Sequence, residues 1–128
     1  MSGARLVLDT NAVVSLLGGA GGLSDLVSRA AWIGISVVSR LEFLGFSRLS
    51  REDEALFERF CERVETIGIT KDDTELLGIT VRLRREHGLK LPDAVIAATA
   101  IARGAELVTA DTDFDRVTGL VVVHPTSV

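Results

Sequence analysis

Apolar residues along the chain follow two different periods, and the alternation of these periods indicates the fold. Five short apolar runs have the length of buried β-strands: 5–8, 33–38, 66–69, 107–109 and 120–123. Six segments repeat apolar residues every three or four positions, as helices do: 11–17, 23–31, 39–46, 50–64, 72–87 and 91–103. Strands that alternate with helices predict an α/β fold, with a central, mostly parallel sheet flanked by helices in an α/β/α sandwich.

Polar residues at the expected helix ends support these boundaries. Ser39 and Glu42 have the spacing of a capping box, which would begin the third helix, and Ser50 would begin the fourth. Pro92 suits the first turn of the last helix. The glycine cluster GGAGG, residues 18–22, is short enough to form a flexible loop. It lacks the Gly-Lys-Ser/Thr ending of a phosphate-binding P-loop, which argues against that kind of site.

Length and composition predict one globular domain, residues 1–128. Hydrophobic residues make up 47% of the chain, enough for a core, which argues against disorder. The net charge of −4 argues against a broad nucleic-acid-binding surface but leaves room for a local basic patch or a metal site. The single cysteine, Cys61, excludes a disulfide framework and fits the reducing cytoplasm. We expect no signal peptide and no membrane span, because no apolar run is long enough.

Four carboxylates fall where strands end or helices begin. Asp9 follows the first strand and Asp111 follows the fourth, whereas Glu42 and Asp93 lie in the first turns of predicted helices. Because the carboxyl ends of parallel strands share one edge of a sheet, we expect all four side chains to share a rim. Crowded carboxylates repel one another, and a divalent cation relieves that repulsion. Oxygen ligands without a histidine or cysteine cluster favour Mg²⁺ or Mn²⁺ over zinc.

Each acidic residue also has a purely structural interpretation. Taken alone, Glu42 fits a helix cap better than a catalytic group, and Asp93 fits the positive end of its helix equally well. Asp111 and Asp113 suit a turn. Asp9 is the hardest to explain in this way, although it would also cap the helix that follows it. The joint pattern is what favours a metal site.

Four segments, in this order and spacing, resemble the PIN domain family and, more narrowly, the VapC-type toxin ribonucleases of type II toxin–antitoxin pairs: LVLDTN, SRLEFLGF, LPDAVIAATA and LVTADTDF. The resemblance covers nearly the whole chain. LDTN alone is a weak motif, whereas LPDAVIAATA followed closely by VTADTDF is specific. Thr10 and Asn11 match the polar residues beside the family's first acid.

The resemblance implies a metal-dependent endonuclease that acts mainly on RNA. The family's four acidic positions fall on Asp9, Glu42, Asp93 and Asp111, and Asp113 lies at a further position that is acidic in many members. Asp9, Asp93 and Asp111 would contact Mg²⁺ or Mn²⁺, directly or through water. Glu42 would bind a second metal or help deprotonate water, and both alternatives stay open. Attack by water activated in this way would not need the RNA 2′-hydroxyl, and the resemblance implies products with 5′-phosphate and 3′-hydroxyl ends.

Basic residues shortly before Asp93 are the candidate RNA contacts. The densest basic stretch comprises Arg82, Arg84, Arg85, His87 and Lys90. It would hold phosphates near the metal, although cations near the end of a helix are favourable in themselves. Arg48 and Arg51 form a second, weaker candidate. Aromatic residues are few, so recognition should depend on RNA shape and backbone more than on base stacking.

The resemblance also implies protein partners. Such toxins commonly form homodimers and bind a small VapB-like antitoxin, whose C-terminal segment covers the acidic groove and supplies an arginine or lysine there. The apolar residues Leu41, Phe43, Leu44 and Phe46 would suit a groove for an antitoxin helix. Each of them, taken singly, fits an ordinary core position better.

Other classes of protein share parts of this pattern. A receiver-type regulatory domain needs a lysine near the end of a late strand, but Lys71 and Lys90 lie elsewhere. A haloacid-dehalogenase-like phosphatase needs a second aspartate where this chain has Asn11. A catalytically silent PIN-like interaction module also fits the sequence, and only an activity assay excludes it. A neighbouring small gene that encodes a DNA-binding antitoxin would favour the toxin hypothesis.

Overall fold

A central sheet of five parallel strands organises the computed structural model, which describes residues 3–125. The strands are β1 (Arg5–Leu8), β2 (Trp32–Ser36), β3 (Glu65–Ile67), β4 (Glu106–Val108) and β5 (Val122–Val123). They lie in the order β3-β2-β1-β4-β5, and each neighbouring pair is parallel, as the sequence predicted. The order reverses between β1 and β4. Ligands of such sheets bind beyond the strand ends at a point of reversal.

Helices cover both faces of this sheet. Within the described residues they are α1 (Thr10–Leu17), α2 (Gly21–Ser28), α3 (Val37–Leu44), α4 (Arg51–Arg63), α5 (Thr74–His87), α6 (Leu91–Ala102) and a 3₁₀ turn (Thr112–Arg116). Helices α1, α2 and α4 pack on one face, and α5 and α6 pack on the other. The expected α/β/α sandwich is therefore confirmed. Over residues 3–125, no helix combines the length and the apolar character needed to cross a bilayer.

Alternation along the strands divides the core into two parts. In β1, Leu6 and Leu8 pack on the side of α1, α2 and α4, whereas Val7 packs on the side of α5 and α6. In β4, Val108 and Leu107 divide between the two sides in the same way. A shift of one residue in either strand would exchange its two faces, so burial on both sides fixes where each strand ends.

Helix α6 is buried along most of its length. All of residues 94–100 are buried, and four of them are alanine. Small side chains let the helix approach both the sheet and α5 closely, and a helix that is apolar on all sides belongs in the interior. This packing holds the first turn of α6, which carries Asp93, at the edge of the sheet.

Three phenylalanines fix α3 against α4. The rings of Phe43 and Phe57 stack with their centroids 4.1 Å apart, and Phe60 lies 6.4 Å from Phe57. Phe57 is fully buried. Stacked aromatic pairs add to the stability that area burial provides, so this contact sets the position of the helix that carries Glu42.

The start of α3 differs from the prediction. Ser36 caps this helix, because its hydroxyl accepts a hydrogen bond from the Val38 amide at 3.1 Å. Strand β2 accordingly ends at Ser36, although the β-branched Val37 and Val38 favoured a longer strand. Ser39 lies inside α3, and its buried hydroxyl has no hydrogen-bond partner among the described residues. The prediction that a capping box at Ser39 begins α3 was therefore wrong.

The other boundaries agree with the prediction within three residues. Gly21 and Gly22, which were expected in a loop, form the first turn of α2. Helix α5 begins at Thr74 because the carboxylate of Asp73 accepts a hydrogen bond from the Leu76 amide at 3.1 Å. Apolar spacing does not encode this hydrogen bond, which is why the prediction began α5 two residues too early.

We expect Ser36→Ala to lower the free energy of unfolding by about 1 kcal/mol, because α3 loses the hydroxyl that caps its first turn. Ser39→Ala is the matched control. It removes a buried hydroxyl that has no described partner, so stability should stay the same or rise. Denaturant unfolding of the wild type and both variants measures the difference. A larger loss for Ser39→Ala would show that the cap has been assigned to the wrong serine.

Candidate functional site

Acidic side chains line a cavity of about 180 Å³ where β1 and β4 end. The lining residues are Asp9, Thr10, Asn11, Glu42, Phe46, Asp93, Ile96, Asp111 and Phe114. The fold therefore brings together the four carboxylates that were expected at one rim, with Thr10 and Asn11 beside them. Asp113 is not among the lining residues. The cavity lies where the strand order reverses, as expected for a ligand site in a parallel sheet.

Asp9 is held in place by two hydrogen bonds. Its Oδ1 accepts from the Ala12 amide at 2.8 Å, which caps α1, and its Oδ2 accepts from the Thr109 hydroxyl at 2.5 Å. Only 7% of the residue is exposed. Burial raises the pKa of this carboxyl, the two hydrogen bonds oppose that effect, and the charges of Asp111 and Glu42 add to it.

Thr109 is a site residue that the sequence pattern did not single out. It follows β4 directly, is fully buried, and links both neighbouring acids. Its hydroxyl donates to Asp9 and accepts a hydrogen bond from the Asp111 amide at 3.0 Å. The only signal in the sequence is a polar residue that closes an apolar strand, and this becomes informative once β4 is known to lie beside β1.

Glu42 reaches the cavity from the second turn of α3. The Thr10 hydroxyl donates to its Oε1 at 2.5 Å, which ties the start of α1 to α3. Glu42 therefore does not cap its own helix. The correction follows from the true start of α3 at Val37, which moves Glu42 beyond the first turn.

Asp93 lies in the first turn of α6, as predicted. Burial raises the pKa of its carboxyl, and the negative charges of Asp111, Glu42 and Asp9 raise it further. Lys90 acts in the opposite direction. The four carboxylates thus repel one another across the cavity, which makes the cavity a place of strongly negative potential.

Asp111 serves the local backbone as well as the cavity. Its Oδ1 accepts a hydrogen bond from the Asp113 amide at 2.9 Å and caps the 3₁₀ turn. The structural interpretation of this segment as a turn is therefore right. It is compatible with a role in the cavity, because a carboxylate in this position keeps further lone pairs free.

The donor set of the cavity fits a hard divalent cation. Within residues 3–125, no three His, Cys, Asp or Glu side chains stand close enough together to hold a metal ion between them. Oxygen donors surround the cavity nonetheless, and burial together with their mutual repulsion raises the pKa of both Asp9 and Asp93. Mg²⁺ usually keeps several waters and needs only one or two carboxylates, so a loose set of acids suits it better than zinc.

The predicted basic stretch is divided in the structure. Arg82 is paired with a glutamate one turn further along α5, at 3.4 Å, whereas Arg84 and Arg85 are exposed. Lys90 lies near enough to the cavity for its charge to lower the pKa of Asp93, against the larger effect of burial. Of this stretch, Lys90 is therefore the residue that the structure links electrostatically to the acidic cavity.

Known proteins are similar to this chain in sequence and in fold. Residues 6–120 match the family model of the PIN domain. A chain in a toxin–antitoxin complex from Klebsiella pneumoniae is 30% identical, with a TM-score of 0.75 over 94% of this chain and 98% of that chain. VapBC-1 from nontypeable Haemophilus influenzae contains a chain that is 21% identical, with a TM-score of 0.76 over 95% of this chain and 98% of that chain. Because its identity is low, this second chain shows similarity of fold alone. A search of the curated proteins found no match to this sequence.

PIN domains are generally nucleases and typically use divalent metal ions. The family that the four sequence motifs suggested is confirmed, because the family model matches most of the chain and a 30% identical relative is covered almost completely. With this match, a parallel sheet and an acidic cavity at the ends of β1 and β4, the chain belongs to the PIN domain family.

Proposed function

We propose that this chain is the VapC-type toxin of a type II toxin–antitoxin pair, an Mg²⁺- or Mn²⁺-dependent endoribonuclease that acts in the cytoplasm. One observation carries the proposal. Four carboxylates, those of Asp9, Glu42, Asp93 and Asp111, line a single cavity at the strand ends of a PIN domain. The likeness to a chain of a toxin–antitoxin complex at 30% identity supports the biological role.

Some residues of the cavity would bind the cation directly, and others orient the residues that bind it. Asp9, Asp93 and Asp111 would hold the cation, and a bound divalent cation would supply a lowered pKa for water and charge stabilisation for the leaving oxygen of a phosphodiester. Asp9 is already fixed by Ala12 and Thr109, so it loses little conformational freedom on binding. Glu42 is oriented by the Thr10 hydroxyl, and it would accept a proton from water or hold a second cation.

The surroundings of the cavity suit a nucleic acid backbone. Phe114 and Ile96 line the cavity with apolar surface, which strengthens electrostatic interactions inside it. Lys90 supplies a positive charge close to Asp93, and Arg84 and Arg85 extend that charge along α5. The aromatic ring at the rim, Phe46, is 44% exposed and offers one surface on which a base can stack.

A catalytically silent interaction module remains the second candidate. The observation that favours it is that no three acidic, histidine or cysteine side chains of residues 3–125 form a ready metal site. The PIN family match removes the support for a receiver-type domain. The nuclease and the silent module differ in a single measurement, which is cleavage.

We expect Asp9→Asn and Asp93→Asn each to reduce RNA cleavage by at least about 100-fold, as loss of one group that stabilises a transition state does. Cleavage of a mixed RNA pool with Mg²⁺ or Mn²⁺, and with EDTA, measures the effect. Asp25→Asn is the matched control, because Asp25 lies on α2 in an exposed ion pair with Arg29. Equal residual cleavage in all four proteins, insensitive to EDTA, would indicate contamination and favour the silent module.

An apolar groove beside the cavity supports binding of an antitoxin segment. It has a volume of about 260 Å³ and is lined by Val14, Leu17, Gly18, Phe43, Phe46, Leu49, Asp53 and Leu56. Phe46 belongs to both the groove and the acidic cavity, so one segment can occupy the groove and place a cation over the carboxylates. Of the four residues that the sequence suggested, Phe43 and Phe46 line this groove. Leu41 and Leu44 do not.

We expect Leu56→Glu to abolish stable complex formation with the cognate VapB-like antitoxin, because it places a charge in the apolar groove. Leu56 is 39% exposed, so the folded toxin should tolerate the change. Co-expression followed by size-exclusion chromatography measures the complex, and Leu41→Glu, at an exposed position outside the groove, is the control. Loss of the complex in Leu41→Glu alone would place the antitoxin elsewhere.

A second apolar groove supports the homodimer. It has a volume of about 340 Å³ and is lined by Val38, Ile69, Leu76, Leu77, Thr80, Leu91, Pro92 and Val95. Ile69 and Leu91 are 40% and 53% exposed, which is costly for large apolar side chains of an isolated monomer. A second copy of the chain would cover them.

We expect the wild type to sediment at twice the chain mass and Ile69→Asp to sediment as a monomer, because a buried unpaired charge opposes association. Val121→Asp is the control, since Val121 is similarly exposed at 59% but does not line this groove. A monomeric wild type, or a dimer that survives Ile69→Asp, would argue against this surface as the interface.

A further inference from the structure

His124 lies directly after β5 and contacts two separate points of the segment that follows β4. Its Nδ1 is 2.7 Å from the carbonyl oxygen of Thr109, and its Nε2 is 2.8 Å from Oδ1 of Asp115. Thr109 directly follows β4, and Asp115 lies in the 3₁₀ turn. The imidazole ring therefore closes the segment 109–115 into a loop, with one ring nitrogen at each end.

This loop carries much of the acidic cavity. Asp111 lies inside it, and the hydroxyl of Thr109 holds the Asp9 carboxylate while it accepts a hydrogen bond from the Asp111 amide. The residues 110–113 are exposed, so packing does little to fix them. His124 thus holds the backbone of the same threonine whose side chain orients Asp9.

The two contacts require the protonated ring. A carbonyl oxygen and a carboxylate oxygen only accept hydrogen bonds, so both ring nitrogens must donate. The hydrogen bond to Asp115 raises the pKa of His124 above its usual value of 6.5, and the Thr109 carbonyl and the charges of Asp115 and Asp111 act in the same direction. Burial opposes them. A neutral ring keeps only one of the two contacts.

We propose that His124 is a positioning residue of the acidic cavity: by bridging Thr109 and Asp115 it fixes the loop that presents Asp111 and orients Asp9 for a divalent cation. This inference rests on the proposed function, because it assigns His124 to the same cation site. His124 lines no part of the cavity. It acts through Thr109 and Asp115, in the way that partners of metal-binding side chains orient those side chains.

The test is the affinity of the full chain for Mn²⁺ alone, measured by titration calorimetry. We expect His124→Gln and Asp115→Ala each to weaken Mn²⁺ binding by about tenfold or more, as loss of an orienting partner does. The double variant should bind Mn²⁺ no more weakly than the single variant with the lower affinity, because both changes break the same bridge between Thr109 and Asp115. Asp25→Ala is the matched control for Asp115→Ala, since Asp25 lies on α2 in an exposed ion pair with Arg29, outside the segment 109–115.

A pH series separates positioning from a general loss of stability. His124 has a raised pKa in the folded protein, so its contribution is present below the usual value and is lost as the pH rises through the folded value. As the pH rises from below 6.5 through the raised pKa of His124, the advantage of the wild type over His124→Gln in Mn²⁺ affinity should therefore shrink. A merely structural role would lower the melting temperature and leave Mn²⁺ affinity at low temperature unchanged.

The outcomes distinguish this inference from the proposed function. Mn²⁺ binding by the wild type that is lost in Asp9→Asn but equal in His124→Gln and Asp115→Ala would overturn the role of His124 and leave the cation site standing. No Mn²⁺ binding by the wild type would overturn both. Should His124→Gln fail to fold, Asp115→Ala still tests the inference, because it removes the hydrogen bond between His124 and Asp115.

Discussion

The hydroxyl of Thr109 donates a hydrogen bond to the carboxylate of Asp9, which the fold buries at the end of β1. A carboxylate taken out of water is costly unless it is hydrogen-bonded or paired. Each hydrogen bond to a charged group contributes about 1.5–3 kcal/mol, so the contacts from Thr109 and the Ala12 amide offset much of that cost. One donor is local and the other comes from a residue 100 positions away along the chain. The site therefore depends on the pairing of β1 with β4.

The two halves of the core make that pairing reliable. Alternating residues of β1 and β4 are buried on opposite faces, so neither strand can shift without exposing apolar surface. Helix α6 packs its alanines against the sheet, and this holds Asp93 at the cavity. The stack of Phe43 and Phe57 holds α3, and with it Glu42, from the other side. Packing on both faces thus delivers acidic side chains to a single edge.

Bringing these carboxylates together opposes stability. Each of Asp9 and Asp93 has its pKa raised by burial and by the other acids, which means that the folded state disfavours their charged forms. A chain selected for stability alone would not collect four acids in one cavity, and natural proteins keep such conflicts mainly at functional sites. A positive charge resolves the conflict, whether it comes from a divalent cation or from the side chain of a bound protein. The same electrostatic feature therefore suits both the proposed catalysis and the proposed inhibition by an antitoxin.

The sequence by itself determined the alternation of strands and helices, the parallel sheet and the family. Apolar periodicity is local, and four motifs carried the acids Asp9, Glu42, Asp93 and Asp111 in a specific order. It did not determine which serine caps α3, because Ser36 and Ser39 are equally good candidates locally and the choice depends on where the sheet lets β2 end.

Only the tertiary structure decided how the acids are held. Thr109 meets Asp9, Thr10 meets Glu42, and His124 bridges both ends of the segment 109–115. Each of these contacts joins residues from different elements, separated by 9 to 100 positions along the chain. Hydrophobic periodicity does not predict such pairs. A polar residue at the end of a strand has the same local sequence pattern whether or not a carboxylate from another strand lies beside it. The physical reason is that hydrogen bonding between distant residues depends on strand order, which is settled when the whole sheet assembles around β1.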